Sequence, residues 1–253
     1  MNIEIFGESE RGKTAKSVFT DKDLGVENVK LLPIPSSRDG AHIAGTDILL
    51  SDFEKELFHG DFVVGYGLSK SFKEKLALRG IECYDAAFDE KFLLENAYIT
   101  AIGTLGYVLG TAKKIPGDMR FGIIGYGRIG ASLTRLFLFL GAKVKIFSSK
   151  KLTRIELGLC GIDSPEIELA DFSDTSLSGL DFVLNTAPTN LSYLFPKKQV
   201  PDGMRVIDLA SGDSFPGVLG VEYLPSLPER MYPESAGAVY ANQALAWLRN
   251  KEK

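Results

Sequence analysis

Apolar residues alternate with polar ones over Ile3 to Phe6, and short apolar runs recur at Val29 to Ile34, Phe62 to Val64 and Ile81 to Tyr84. Each run is bounded by turn-forming residues, a pattern that predicts strands. The stretch Ser69 to Arg79 predicts a helix, so the opening of the chain reads as a small α/β layer. Tyr98, Ile102, Leu105, Leu109 and Ala112 then fall at three- and four-residue steps. That spacing predicts a helix over 96–113 with an apolar stripe. The polar turn Lys113-Lys114-Ile115-Pro116-Gly117-Asp118 ends it and divides the chain.

The second part alternates more clearly. Phe121 to Ile124 predicts a strand, Arg128 to Leu140 a helix stopped by Gly141, and Ala142 to Phe147 a second strand. Lys151 to Cys160 predicts a helix. Ile167 to Leu169, Phe182 to Asn185, Val206 to Leu209 and Val221 to Leu224 complete six strands with short crossovers. The fold class is therefore α/β: a Rossmann-type doubly wound parallel sheet, plus a smaller flavodoxin-like or Rossmann-like N-terminal domain. The expected boundaries are 1–95 for the N-terminal domain, completed by a last helix over 236–250. The dinucleotide-binding domain is expected over 96–235, entered through the helix 96–113.

Gly125-Tyr126-Gly127-Arg128-Ile129-Gly130 sits where an apolar strand meets an apolar helix, the context a dinucleotide fingerprint requires. Gly125 permits the tight turn, Gly127 leaves room for a pyrophosphate, and Gly130 lets helix and strand pack closely. The helix start offers free N–H groups and the positive end of its dipole. An NAD site usually carries Asp or Glu about 20 residues on. Here the second strand ends Phe147-Ser148-Ser149-Lys150-Lys151, with Arg154 one turn later. Hydroxyls and cations suit a 2′-phosphate, which favours NADP over NAD. Two further strand ends, Asn185-Thr186-Ala187-Pro188 and Asp208-Leu209-Ala210-Ser211-Gly212, are expected on the same rim, although Asp208 equally suits a turn that holds local N–H groups.

Charge narrows the partners. With 29 basic and 33 acidic side chains the net charge is −4, which points away from nucleic acid. No stretch is expected to serve as a membrane span of roughly 20 apolar residues, and the first residues do not resemble a signal peptide. Cys83 and Cys160 lie in unrelated contexts, as buried thiols of a reducing, cytoplasmic compartment would. His42 and His59 are too few and too isolated for a zinc site, so no metal is expected.

The segments FGIIGYGRIGASLTRLFLFLGAKVKIFSS, DFVLNTAP and MRVIDLAS resemble the nucleotide domain of the family formed by the A subunits of dipicolinate synthase, which is related to D-2-hydroxyacid dehydrogenases and adenosylhomocysteinase. LLPIPSSRDG and YLPSLPERMYPESAG are similar to further segments of that family. The resemblance implies a two-domain enzyme with the nicotinamide in a cleft, oxidising a dihydrodipicolinate-type substrate with NADP during sporulation. By the same analogy Ser36, Ser37 and Arg38 meet a small anionic substrate, with Ser235 at a helix start beside it. A solvated loop is the competing reading for 36–38. Gly212 and Glu234 stand where the family carries Arg and Lys, and no histidine follows His59 to act as the general acid of a D-2-hydroxyacid dehydrogenase. A non-catalytic nucleotide-sensing subunit therefore stands as an alternative, and a homodimer or a second subunit is compatible with either reading.

Gly7-Glu8-Ser9-Glu10-Arg11-Gly12-Lys13-Thr14 also matches the phosphate-loop pattern, with Ile48 to Asp52 as a faint candidate for the partner strand. Glu8 and Glu10 place carboxylates in a loop meant for phosphates, so nucleotide hydrolysis is the remote alternative.

Overall fold

A computed structural model describes residues 2–20, 25–148, 167–170 and 177–251. The chain divides into two compact units, 1–99 with 228–253, and 100–227. The division falls inside a helix rather than at the Lys113–Asp118 turn.

In the first unit β1 (Asn2–Ile5), β2 (Asn28–Leu31), β3 (Asp61–Gly65) and β4 (Glu82–Asp85) form a parallel sheet in strict sequence order, without a reversal of strand order. Every residue of β3 is buried, as expected of a parallel strand covered on both faces. On one face Val29, Leu31, Phe62, Val64 and Tyr84 meet α1 (Glu10–Phe19) and the last helix, α7 (Pro233–Lys251). Trp247 of α7 stacks on Phe62 at 5.9 Å between ring centres. The other face buries Leu32 and Val63 with Phe53 of α2 (Leu50–Glu56) and Phe72 and Leu76 of α3 (Lys70–Leu78). The faint strand proposed at Ile48 to Asp52 is not formed: Leu49 makes a single bridge to His42, Leu50 to Asp52 begin α2, and Asp52 pairs with Lys55 at the surface, 2.7 Å away.

α1 reads differently from the phosphate-loop expectation. Only Gly7, Glu8 and Ser9 separate the end of β1 and Phe6 from the helix, so Gly12, Lys13 and Thr14 lie within α1 and no loop cradles a phosphate. Glu229 of α6 (Leu227–Met231) occupies the helix start instead. Its Oε1 accepts from the Ser9 hydroxyl at 2.6 Å, and its Oε2 lies 3.0 Å from Nε of the buried Arg11. A carboxylate there answers both the helix dipole and the guanidinium. Lys13 turns outward to Glu10 at 2.5 Å. The helix end that would take a phosphate is already filled by the chain itself.

α4 (Glu90–Thr111) starts earlier than its apolar stripe indicated. It is long and apolar enough, by length and composition, to cross a membrane, which corrects the expectation that no stretch is; 44% of its most apolar window is buried. Phe92 joins the core of the first unit, Ala101 and Val108 that of the second.

The second unit holds β5 (Arg120–Ile124), β6 (Lys143–Phe147), β7 (Ile167–Ala170), β8 (Phe182–Asn185), β9 (Arg205–Asp208) and β10 (Val221–Tyr223). Their order is β10-β9-β8-β5-β6-β7, all parallel. Renumbered within the unit this is 6-5-4-1-2-3, the doubly wound dinucleotide-binding order. Phe121 and Ile123 face α5 (Arg128–Phe139), where Phe121 stacks on Phe137 at 4.0 Å; Ile124, Val183 and Val206 face the opposite core with Leu191 and Phe215. The helix expected over Lys151 to Cys160, and Cys160 itself, lie outside the described residues.

At the amino edge of this sheet Arg205 binds Glu222 through two nitrogens, at 2.7 and 2.6 Å, while Tyr107 of α4 donates to the same carboxylate at 2.6 Å. The Arg205 bonds hold the Glu222 carboxyl below the usual glutamate range despite its partial burial. A depressed folded value means stabilisation that is present above the ordinary carboxylate range and lost as pH falls through the lowered one. Glu222→Gln is expected to remove part of the acid-side loss of stability, read as a flatter dependence of the urea midpoint on pH. Gly237→Ala is expected to destabilise the first unit by about 1–3 kcal/mol in urea unfolding. The added Cβ would come within 2.4 Å of the Arg11 carbonyl oxygen, and this outweighs the ~1 kcal/mol gained in helix propensity.

Candidate nucleotide site

The β5–α5 junction is built around backbone contact. Gly125 has φ +89°, and a Cβ on it would press on Thr186 Oγ1 at 2.8 Å. At Gly130 a Cβ would come 2.1 Å from the Gly125 carbonyl oxygen, so the first turn of α5 lies directly on the end of β5. Thr186 fastens the junction from the next strand: its hydroxyl donates to Ile124 O at 2.9 Å, and its amide donates to the same oxygen.

Gly127 differs from both. It is exposed, its φ of −90° is open to any residue, and a Cβ on it would meet no atom of the described residues within 4 Å. It caps α5 without a side chain, so the amides of the first helical turn are left for a ligand. No atom of the described residues therefore requires a glycine at this position. A cavity of about 580 Å³ opens in front of it, lined by Gly125, Tyr126, Gly127, Ser148, Thr186, Ala187, Pro188, Thr189, Asn190 and Tyr193. That is the size of a small-molecule pocket, and it lies at the carboxyl ends of the central strands, where open α/β sheets bind ligands. A hollow of about 740 Å³ lies at the amino ends of β5 and β8, lined in part by Lys114, Arg120 and Asp181.

The rim is held by a buried pair. Asn185 donates to Asp208 Oδ1 at 2.8 Å and accepts the Ala187 amide at 3.0 Å. The other Asp208 contacts are the amides of Ala210, at 3.1 Å, and Ser214, at 3.3 Å. Asp208 is 2% exposed with both oxygens engaged, so its side chain shapes the loop and does not face the cavity. Leu209 packs into the core, and Asp208, Leu209 and Ala210 are absent from the cavity wall. Arg128 is exposed at the helix start and Ile129 packs against the core. Ser148 is buried against the cavity; Ser149, Lys150 and Arg154 lie outside the described residues.

Of the expected substrate contacts, Ser36 is corrected. It is fully buried, and its hydroxyl accepts the Tyr66 amide at 2.7 Å and donates to the Pro33 carbonyl at 3.2 Å. Ser37 is half-buried and donates to Asp39, while Arg38 and Ser235 are exposed. Sequence reasoning passed over Thr189, Asn190 and Tyr193, which line the cavity.

No family model matches this chain. The sequence comparison finds the A subunit of dipicolinate synthase from Bacillus subtilis (strain 168), 28% identical over 197 residues that cover 71% of this chain and 62% of the relative. The match thus spans less than two thirds of that relative's length. Among solved structures, the dipicolinate synthase A subunit from Bacillus halodurans superposes with TM-score 0.73 at 22% identity, covering 98% of this chain and 97% of that one. Its counterpart from Bacillus subtilis gives 0.76 at 15% identity, with 100% and 97% covered, and a Salmonella D-lactate dehydrogenase gives 0.58 at 14%, also with 100% and 97% covered. The resemblance read from the sequence holds in both comparisons, and the fold is that of the Rossmann-like dehydrogenases.

The two glycines separate fold from ligand. Gly130→Ala is expected to cost about 3 kcal/mol or more in urea unfolding, because the clash is with backbone. Gly127→Ala is expected to shift stability by no more than ~0.5 kcal/mol, since its methyl enters open space.

Proposed function

We propose that this chain is an NADP-dependent oxidoreductase that moves hydride between the nicotinamide and a small anionic substrate of the dihydrodipicolinate kind. The observation that carries this reading is Gly127: a helix start stripped of side chain, facing a cavity at the carboxyl ends of a doubly wound sheet. Gly125, Gly127 and the first amides of α5 would hold the pyrophosphate, with Thr186, Ala187 and Pro188 along its path. When bound, the cofactor supplies a hydride acceptor, and the protein's contribution is to orient the reactants and exclude water. Preference for NADP rests on Ser148, Ser149, Lys150 and Arg154 with no carboxylate among them. Ser37, the exposed Arg38 and Ser235 are the proposed contacts of the anionic substrate. A cytoplasmic setting and a homodimer belong to the same reading.

One observation favours a second reading, a nucleotide-binding protein without turnover. Gly212 has φ +97°, which a side chain such as arginine would strain, and Glu234 is exposed with negative charge. Both stand where the resembled family is cationic.

Calorimetric titration with NADP⁺, NAD⁺ and ATP in parallel tests the reading. NADP⁺ is expected to bind at least about tenfold more tightly than NAD⁺, the worth of one charge-assisted contact. Gly127→Val is expected to abolish that binding, while Lys13→Ala leaves it unchanged. Absence of binding by either pyridine nucleotide at millimolar concentration defeats the proposal, and binding without turnover of dihydrodipicolinate favours the second reading.

A further inference from the structure

Tyr193 is a large ring held out of the core on a segment whose apolar neighbours are all packed into it. It sits in the middle of the 3₁₀ turn Ser192–Leu194, in the loop that follows β8. Leu191 is fully buried, Phe195 is nearly so and meets Phe215 edge-on at 5.8 Å, and Leu194 packs against the same core. The backbone is pinned as well. The Leu191 amide donates to the Ser214 carbonyl at 2.7 Å, and Asn190 Oδ1 accepts the Ser192 amide at 3.0 Å and the Ser192 hydroxyl at 2.8 Å. Tyr193 is left 51% exposed, and its side chain makes no hydrogen bond or ring contact among the described residues. A single exposed aromatic is ordinary on an open surface, but this one lines the cavity in front of Gly127.

The rest of the wall decides which part of a dinucleotide lies there. The cavity includes Ser148, directly after β6, and β6 is the second strand of the doubly wound order. The end of that strand receives the adenosine ribose in a dinucleotide fold. At the end of β9, in the other half of the sheet, Asp208, Leu209 and Ala210 contribute nothing to the wall. The cavity is therefore the adenosine side of the crevice. A phenol ring there offers a flat base an apolar face at little cost in ordering, since the turn that carries it is already fixed.

We propose that Tyr193 is the stacking platform for the adenine ring of the bound nucleotide. This rests on the nucleotide-binding part of the function proposed for the chain. Adenine is common to NADP⁺ and NAD⁺, so the ring sets how tightly either is held and leaves the choice between them to the residues after β6.

The test is calorimetric titration of the full chain with NADP⁺, NAD⁺ and adenosine 2′,5′-bisphosphate. Tyr193→Ala is expected to weaken whichever of these the parent binds by the same factor, about 10–100-fold, the range that stacking on one aromatic face gives. Tyr193→Leu, which keeps apolar bulk without a π face, should lose most of the same affinity. Tyr193→Phe should stay within about threefold of the parent. The ring lies outside the core, so all three variants are expected to keep the parent's urea midpoint. Parent-like binding by Tyr193→Ala overturns the assignment, as does an equal loss in Tyr193→Phe, which points to the hydroxyl instead. A loss on NADP⁺ and NAD⁺ with none on adenosine 2′,5′-bisphosphate puts the ring against the nicotinamide half and overturns it too. Each of these leaves the nucleotide reading standing. A parent chain that binds none of the three overturns both.

Discussion

Backbone packed on backbone governs the nucleotide unit. The first turn of α5 rests on the carbonyl of Gly125, at a separation that admits no side chain at position 130. That contact fixes where the helix begins and points its unpaired amides over the end of β5. The Thr186 hydroxyl, bonded to the same turn, brings β8 into register with it. Gly127, the cavity and the course of the β8 loop follow from this arrangement. A junction built on main-chain atoms depends on few side chains, which is why it is readable even at low sequence identity.

The same physics is used in the opposite sense in the first unit. α1 also presents a helix start after a short glycine turn, and its sequence imitates a phosphate loop. There Glu229 supplies the anion from within the chain, and Arg11 beneath it is paired. Two similar local sequences thus end in different chemistry, because one helix end faces a cavity and the other faces a carboxylate 218 residues away.

Periodicity made most of the fold legible. The strands from β1 to β10 and helices α3, α5 and α7 were visible because each carries apolar residues at a regular spacing in the sequence. α2 was not, since its seven residues bury only Phe53. The start of α4 was hidden by Glu90, Lys91 and Glu95, which are placed by what lies around the helix and not by its stripe. At the site, the glycines carried their roles in their spacing. Burial of Ser36 and engagement of Asp208 were illegible, since each depends on amides from a different strand or turn. The surface contact between Asp39 and His42, 2.7 Å apart, was near in sequence but unreadable, because a spacing of three brings side chains together only once the intervening turn at Gly40 is known. Asp-Gly-Ala-His was the one signal available.

The cluster of Arg205, Glu222 and Tyr107 lies at the amino edge of the larger sheet, while every residue lining the proposed nucleotide cavity lies at the carboxyl edge. Cohesion and the proposed recognition are therefore lodged at opposite poles of the same strands. Loops at the recognising pole are free to drift toward new ligands without loosening the scaffold, so descendants of this chain can diverge in chemistry long before they diverge in architecture.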